Sequence, residues 1–135
     1  ESFQIILKDK KIKSIPLKVS APFHCSLMKP AGKNMEDKIN KVKFNIPKFM
    51  IISNVTAKPE KEINKIKRLL VEQIFSTVKW RESLIEMSNT GIKNYIEIGP
   101  GKVLSGMVKR TIKGANCFSI NSITDIKNLI NEFKR

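Results

Sequence analysis

Four short apolar runs, each followed by apolar residues at helical spacing, constrain most what this chain can fold into. The clearest case is Tyr95-Ile96-Glu97-Ile98, a strand-like run, then a Gly99-Pro100-Gly101 turn. After it Val103, Leu104, Met107, Val108 and Ile112 recur at the spacing of one helix face. Cys117–Ile120 then reads as a strand, and Ile123, Ile126, Leu129, Ile130 and Phe133 as an amphipathic helix. Upstream, residues 2–10 read as the end of a helix and Ile12–Leu17 as a short strand closed by Pro16. A helix from Ser26 to Val42 follows, with Pro30 in its first turns, where a missing N–H is tolerated. Phe49–Ile52 has the compact apolar character of a buried parallel strand. Helices over 60–74 and 80–89 come next, the second ending at Gly91. Strands alternating with helices predict an α/β fold, a parallel sheet covered by helices on both faces. No repeat or low-complexity linker divides the chain.

Composition narrows the possible partners. The chain has 135 residues, enough for one domain, and 41% of them are hydrophobic, enough for a core. Its formal charge of +14 invites a nucleic-acid reading, yet all but four of the 26 basic residues are lysine. Nucleic-acid readers favour arginine forks and aromatic platforms. The lysines here are scattered along polar faces, apart from a cluster at Lys8, Lys10, Lys11 and Lys13. Lys, Ile and Asn are abundant together, as A/T-rich codons would make them, so solvated surface rather than nucleic acid is expected. No apolar run approaches the ~18 residues of a membrane span. Cys25 and Cys117 are far apart and one histidine is present, which is not metal-ligand arithmetic. Two unpaired cysteines fit a reducing cytoplasm.

His24, the only histidine, is the residue with the chemistry to move protons near neutral pH. It follows the proline-stiffened Ser20-Ala21-Pro22-Phe23. Cys25 beside it is not expected to be a nucleophile, because adjacent residues of an extended segment point to opposite sides. No serine has glycine two residues before and two after it, so the strained nucleophile elbow is absent. Nor is Gly99-Pro100-Gly101-Lys102 a phosphate loop, since Ile96 and Val103 stand where glycine and Ser/Thr are needed. A turn of this kind can still present main-chain N–H groups to an anion, though it is structural first. Asn54 lies at the C-terminal end of the Phe49–Ile52 run, where open α/β sheets place ligands.

Three stretches together resemble the C-terminal part of malonyl-CoA:acyl carrier protein transacylases. They are Val19–Ala31 (V-S-x-P-x-H-x-x-L-M-K-P-A), Asn54–Pro59 followed by Gln73 and Val78-Lys79-Trp80, and Glu97–Gly106 followed by Lys109-Arg110. The resemblance implies an α/β-hydrolase-like large subdomain over residues 18–135, with residues 1–17 the end of a small ferredoxin-like subdomain. It implies that a serine forms a malonyl-enzyme and that His24 takes the serine proton, then serves the phosphopantetheine thiol. A main-chain carbonyl orients that histidine in the family, and Gln73 occupies the matching position; equally, Gln73 reads as a polar residue on a helix face. Phe23 and Asn54 are the expected substrate contacts. A ring at Phe23 would fill the space a methyl-branched acyl group needs, a discrimination of ~1–3 kcal/mol. Lys109 and Arg110 suit either docking of the acidic acyl carrier protein or the C-terminus of their helix.

The resemblance further implies malonyl-CoA as substrate, no permanently bound cofactor and no metal. The serine, the carboxylate-binding arginine and the oxyanion segment of the family are missing here, and residue 1 is Glu rather than Met. The chain is therefore expected to be a C-terminal piece that needs its N-terminal part, inactive alone and exposing sheet edges and apolar surface. Two alternatives stand beside this: a non-catalytic basic binding module, and the acyltransferase domain of a polyketide synthase. The end at Lys134-Arg135, soon after the last helix, favours the stand-alone enzyme of fatty-acid synthesis.

Overall fold

The helical spacings and apolar runs resolve into elements whose ends are set by local capping. The computed structural model describes residues 2–15, 19 and 21–134. Helix α1 (Ser2–Asp9) comes first, then a 3-10 turn at Ser26–Met28 leads into α2 (Lys29–Lys41). Strands β1 (Ile51–Ile52) and β2 (Pro59–Glu60) precede helices α3 (Ile63–Glu72) and α4 (Trp80–Asn89). The chain closes with β3 (Asn94–Ile98), α5 (Val103–Thr111), β4 (Asn116–Ile120) and α6 (Ile123–Phe133).

The C-terminal β3–α5–β4–α6 unit is the expected strand–helix alternation. β3 and β4 pair in parallel, Asn94 opposite Asn116 through to Ile98 opposite Ile120, and α5 is the crossover that parallel pairing requires. Side chains alternate across a strand. Glu97 and Ser119 therefore face α5, where Ser119 Oγ lies 3.0 Å from Ser105 Oγ. Phe118 faces the other way and packs on Phe133 of α6, ring centroids 5.6 Å apart. One helix thus covers each face. The covering is partial: Ile96 and Ile98, on the α6 face, are 45% and 81% exposed.

In the other half of the chain α2 lies against α3. Gly32 is buried on α2, and a Cβ there would stand 2.7 Å from Phe75 Cδ1, so only glycine permits this approach without moving the ring. Lys67 of α3 reaches across to the end of α2, donating to Asn40 O (3.3 Å) and Val42 O (3.1 Å). Its ammonium also lies 5.1 Å from the Phe44 ring centroid. A cation at carbonyl ends and over an aromatic face is favoured twice. The start of α3 is capped by its own Glu62, which accepts from Asn64 N and Lys65 N at 2.6 and 2.8 Å. Glu60 is buried but paired with Lys65 at 2.7 Å, which removes the cost of an isolated buried charge.

Two expected strands differ. Residues 12–15 have no regular structure, and the rest of the Ile12–Leu17 run, with the subdomain boundary after residue 17, lies outside the described residues. Phe49–Ile52 was expected to be a buried parallel strand. Only Ile51–Ile52 pairs, and it pairs antiparallel with Pro59–Glu60. The cause is local: the chain reverses within six residues, Ser53 N donating to Lys58 O (3.1 Å) and Ala57 N to Ser53 O (2.8 Å). Phe49 and Met50 remain 82% and 62% exposed. Among the described residues the sheet is thus two separate two-stranded pieces, and the apolar surface expected to be left open is open.

Among the described residues the buried apolar side chains are Ala57, Ile66, Leu69, Leu84 and Val108, with Leu84 the most enclosed at 1% exposure. So small a core tolerates no cavity. Leu84→Ala is expected to destabilise the chain by about 2–5 kcal/mol, read as the shift in urea unfolding midpoint; a loss below about 1 kcal/mol would show that α4 does not anchor the core.

Candidate active site

His24 sits in a tight turn rather than an extended segment. Phe23 N donates to Ala21 O (2.9 Å), and His24 itself has φ +59°, a left-handed conformation that costs an L-residue about 1–2 kcal/mol. Two bonds hold it there, both to the chain just past the end of α3. The His24 N–H donates to Ile74 O at 3.2 Å, and the ring Nδ1 lies 2.7 Å from Gln73 O. A main-chain carbonyl can only accept, so Nδ1 must carry the proton. In the neutral ring Nε2 is then the unprotonated nitrogen, on an exposed ring, the form a general base requires. The Gln73 and Ile74 carbonyls follow a helix C-terminus, where carbonyls without a helical partner need donors.

Gln73 is fixed in turn. Its N–H donates to Leu69 O (3.0 Å), and its side-chain Oε1 accepts from Asn54 Nδ2 at 3.2 Å. Asn54 O accepts from Lys79 N at 2.8 Å. Asn54 stands in the turn after β1, where Ser53 Oγ accepts from Val55 N (3.1 Å). Asn54 and Gln73 both line a cavity of about 190 Å3 whose other walls include Ile51, Ile66 and Leu69.

The structure therefore brings His24, Gln73 and Asn54 together. Phe23 adjoins them, 56% exposed. Cys25 turns its thiol back to donate to Pro22 O at 3.1 Å; the left-handed turn at His24, and not an extended strand, sets its direction. Lys109 and Arg110 lie exposed in the last turn of α5, and among the described residues no hydrogen bond or ion pair joins them to the histidine cluster. Ile74 was not singled out from the sequence, because a main-chain acceptor carries no side-chain signal. Among the described residues no group of His, Cys, Asp and Glu could hold a metal ion, and no helix is long and apolar enough to cross a membrane.

The N–H groups that meet an anion belong to the start of α5, after the Gly99-Pro100-Gly101 turn, and the anion is internal. Glu97 Oε1 and Oε2 accept from Leu104 N (3.0 Å) and Ser105 N (2.8 Å) at the start of α5. Gly99 and Gly101, at φ +133° and +93°, let the chain reverse tightly enough for this. The main-chain bond from Ser105, then its hydroxyl, holds the Glu97 carboxyl below its ordinary value. Asp125 does the same for α6: bonds from Asn121 N and the Ser122 hydroxyl, and the charge of Lys102, lower it. An acidic residue at a strand end before a turn and helix was the available signal for Glu97.

No protein-family model matches the chain. Among curated proteins it is 36% identical over 121 residues to the malonyl CoA-acyl carrier protein transacylase of Haemophilus influenzae, an alignment covering 90% of this chain and 38% of that protein. Its structure superposes on an acyl carrier protein S-malonyltransferase from Vibrio cholerae with a TM-score of 0.84 and 36% identity, over 93% of this chain and 41% of that one. It superposes as well, at TM-score 0.85 and 32% identity, on a malonyl-transacylase in complex with a type II polyketide acyl-carrier protein, over 93% of this chain and 41% of that one. The chain is thus homologous in sequence and fold to part of these transacylases, and spans about two-fifths of their length.

The lowered carboxyls predict the direction of pH dependence. A depressed carboxyl adds stability that is full above its ordinary value and lost as pH falls through the folded one. In Glu97→Gln an amide NH2 meets the α5 N–H groups, so the variant melts below the parent at pH 7. Between about pH 5 and pH 2 that gap should close, Asp125 acting equally in both proteins. A gap in melting temperature that stays constant over this range would show that the Glu97 charge is not what holds α5.

Proposed function

We infer that this chain, homologous to part of a malonyl CoA-acyl carrier protein transacylase, supplies the histidine of that enzyme's Ser–His pair. One observation carries the inference: the Gln73 carbonyl, 2.7 Å from Nδ1, commits the other ring nitrogen to accepting a proton. Nε2 would take the proton of a serine hydroxyl carried by a segment outside these 135 residues, as the serine oxygen bonds to the malonyl carbonyl carbon. Collapse of the adduct breaks the C–S bond and releases coenzyme A as its thiol, with the proton returned by His24. The same nitrogen would then accept the proton of the phosphopantetheine thiol as its sulfur attacks the acyl-serine. The serine oxygen leaves with that proton, and malonyl is transferred without oxidation or reduction. No cofactor is needed for any of these steps.

The remaining assignments extend this reading. Phe23, beside His24, would bound the acyl pocket and disfavour a branched acyl group. Lys109 and Arg110 would meet the acidic acyl carrier protein, where charge mainly speeds encounter and orients docking. Residues 1–17 would end a ferredoxin-like subdomain and 18–135 would belong to the hydrolase-like one, the β3–β4 pair joining a larger parallel sheet through its open edge. Free Cys25 and Cys117 agree with a reducing cytoplasm. The likeness to the polyketide transacylase admits the same chemistry in polyketide synthesis.

His24→Ala in the complete enzyme is expected to lower malonyl transfer by ~10³-fold or more, the loss for a base acting on a nucleophile. Transfer retained within about tenfold would overturn the assignment.

A further inference from the structure

We propose that Asn54 is a positioning residue for His24, acting through Gln73; the proposal rests on the reading of His24 as the proton acceptor. Asn54 touches the segment between α3 and α4 at both ends. Its side-chain N–H binds Gln73 Oε1 (3.2 Å) at the start, and its carbonyl binds Lys79 N (2.8 Å) at the finish. The span from Gln73 to Lys79 has no regular structure of its own, so these contacts brace it. Both carbonyls that hold His24, those of Gln73 and Ile74, belong to that span. Without the brace, the Gln73-Ile74 stretch keeps its main-chain bonds to the end of α3, from Gln73 N to Leu69 O (3.0 Å) and from Ile74 N to Val71 O (3.2 Å), but the Gln73 carbonyl is held less firmly against Nδ1.

Asn54 is itself rigid. Ser53, buried before it, accepts from Val55 N (3.1 Å) through its hydroxyl and from Ala57 N (2.8 Å) through its carbonyl. The Asn54–Gln73 bond is half-buried at the rim of a largely apolar cavity, where a hydrogen bond is stronger than in water. The pairing also fits the side chains. Gln73 Oε1 needs a donor on a short stem, and asparagine provides one. An aspartate could replace it only with the Gln73 amide reversed so that Nε2 donates.

Because His24 is the only histidine, the imidazole 15N signals of the purified 135-residue chain report it alone, with no turnover required. The parent is expected in the Nδ1–H tautomer. Asn54→Ala should raise the Nε2–H population severalfold, Gln73→Met should do the same, and the double variant should add nothing further, as members of one linked pair behave. Asn54→Asp should restore the parent pattern. An unchanged tautomer ratio in Gln73→Met, which leaves the Asn54 main-chain brace intact, would overturn the proposal even if Asn54→Ala fails to fold. Fully additive shifts would overturn it too.

In the complete enzyme Asn54→Ala should lower kcat about tenfold with KM within about twofold. An effect confined to KM would make Asn54 a substrate contact and overturn the positioning role. Loss of transfer in His24→Ala with no change in Asn54→Ala defeats this proposal alone. Full transfer in His24→Ala defeats the reading beneath it.

Discussion

The arrangement of the site depends on where α3 stops. Beyond Glu72 the chain offers, in three consecutive residues, the Gln73 carbonyl to His24 Nδ1, the Ile74 carbonyl to His24 N–H, and the Phe75 ring to Gly32. A helix C-terminus has orphan carbonyls that need donors, and the histidine turn provides two. The same contacts hold His24 in a left-handed conformation that an unsupported residue would abandon. Gly32 matters for the same reason at a distance: its missing Cβ lets α2, which follows the histidine turn, settle on the end of α3. Packing of α2 and α3, the strained turn and the ring tautomer are thus one constraint.

Much of this was legible in the sequence where periodicity was strong. The helices at 80–89 and 123–133 and the strand–turn–helix at 95–112 lie within a residue or so of their expected limits, because Gly91, the Gly-Pro-Gly turn and Ser122 punctuate them. Phe49–Ile52 failed for a physical reason. An apolar run shows that a segment wants burial, but not which neighbour buries it, and the Ser53–Lys58 reversal pairs it with Pro59–Glu60. At the site, His24 could be picked out by its chemistry and its setting. The groups that hold it, at Gln73 and Ile74, act through main-chain oxygens that every residue possesses.

The charge pattern divides along similar lines. A net charge of +14 draws attention to the lysines, yet the electrostatics that shape this fold come largely from carboxylates. Glu62, Glu97 and Asp125 each occupy a helix start, where N–H groups are otherwise unpartnered. Glu97 has the further effect of occupying the N–H groups at the start of α5, just after the glycine turn. Lys65, paired with buried Glu60, and Lys67, at the end of α2, are counterexamples, lysines with structural tasks.

The contrast between a hydrogen-bonded imidazole and an exposed apolar sheet bears on how the proposed site would work. A general base gains most when its tautomer and direction are set before the reacting group arrives, because the ordering cost is then not charged to the transition state. Among the described residues, the groups bonded to His24 are the Gln73 and Ile74 carbonyls, just past the end of α3. The surfaces left open are of another kind: Ile98, Phe49 and Met50 are exposed apolar side chains, which ask for burial and not for orientation. Covering them would add stability, but it would not need to rebuild the imidazole's hydrogen bonds. The imidazole of His24 is therefore oriented by local contacts, independently of what covers the exposed apolar surface.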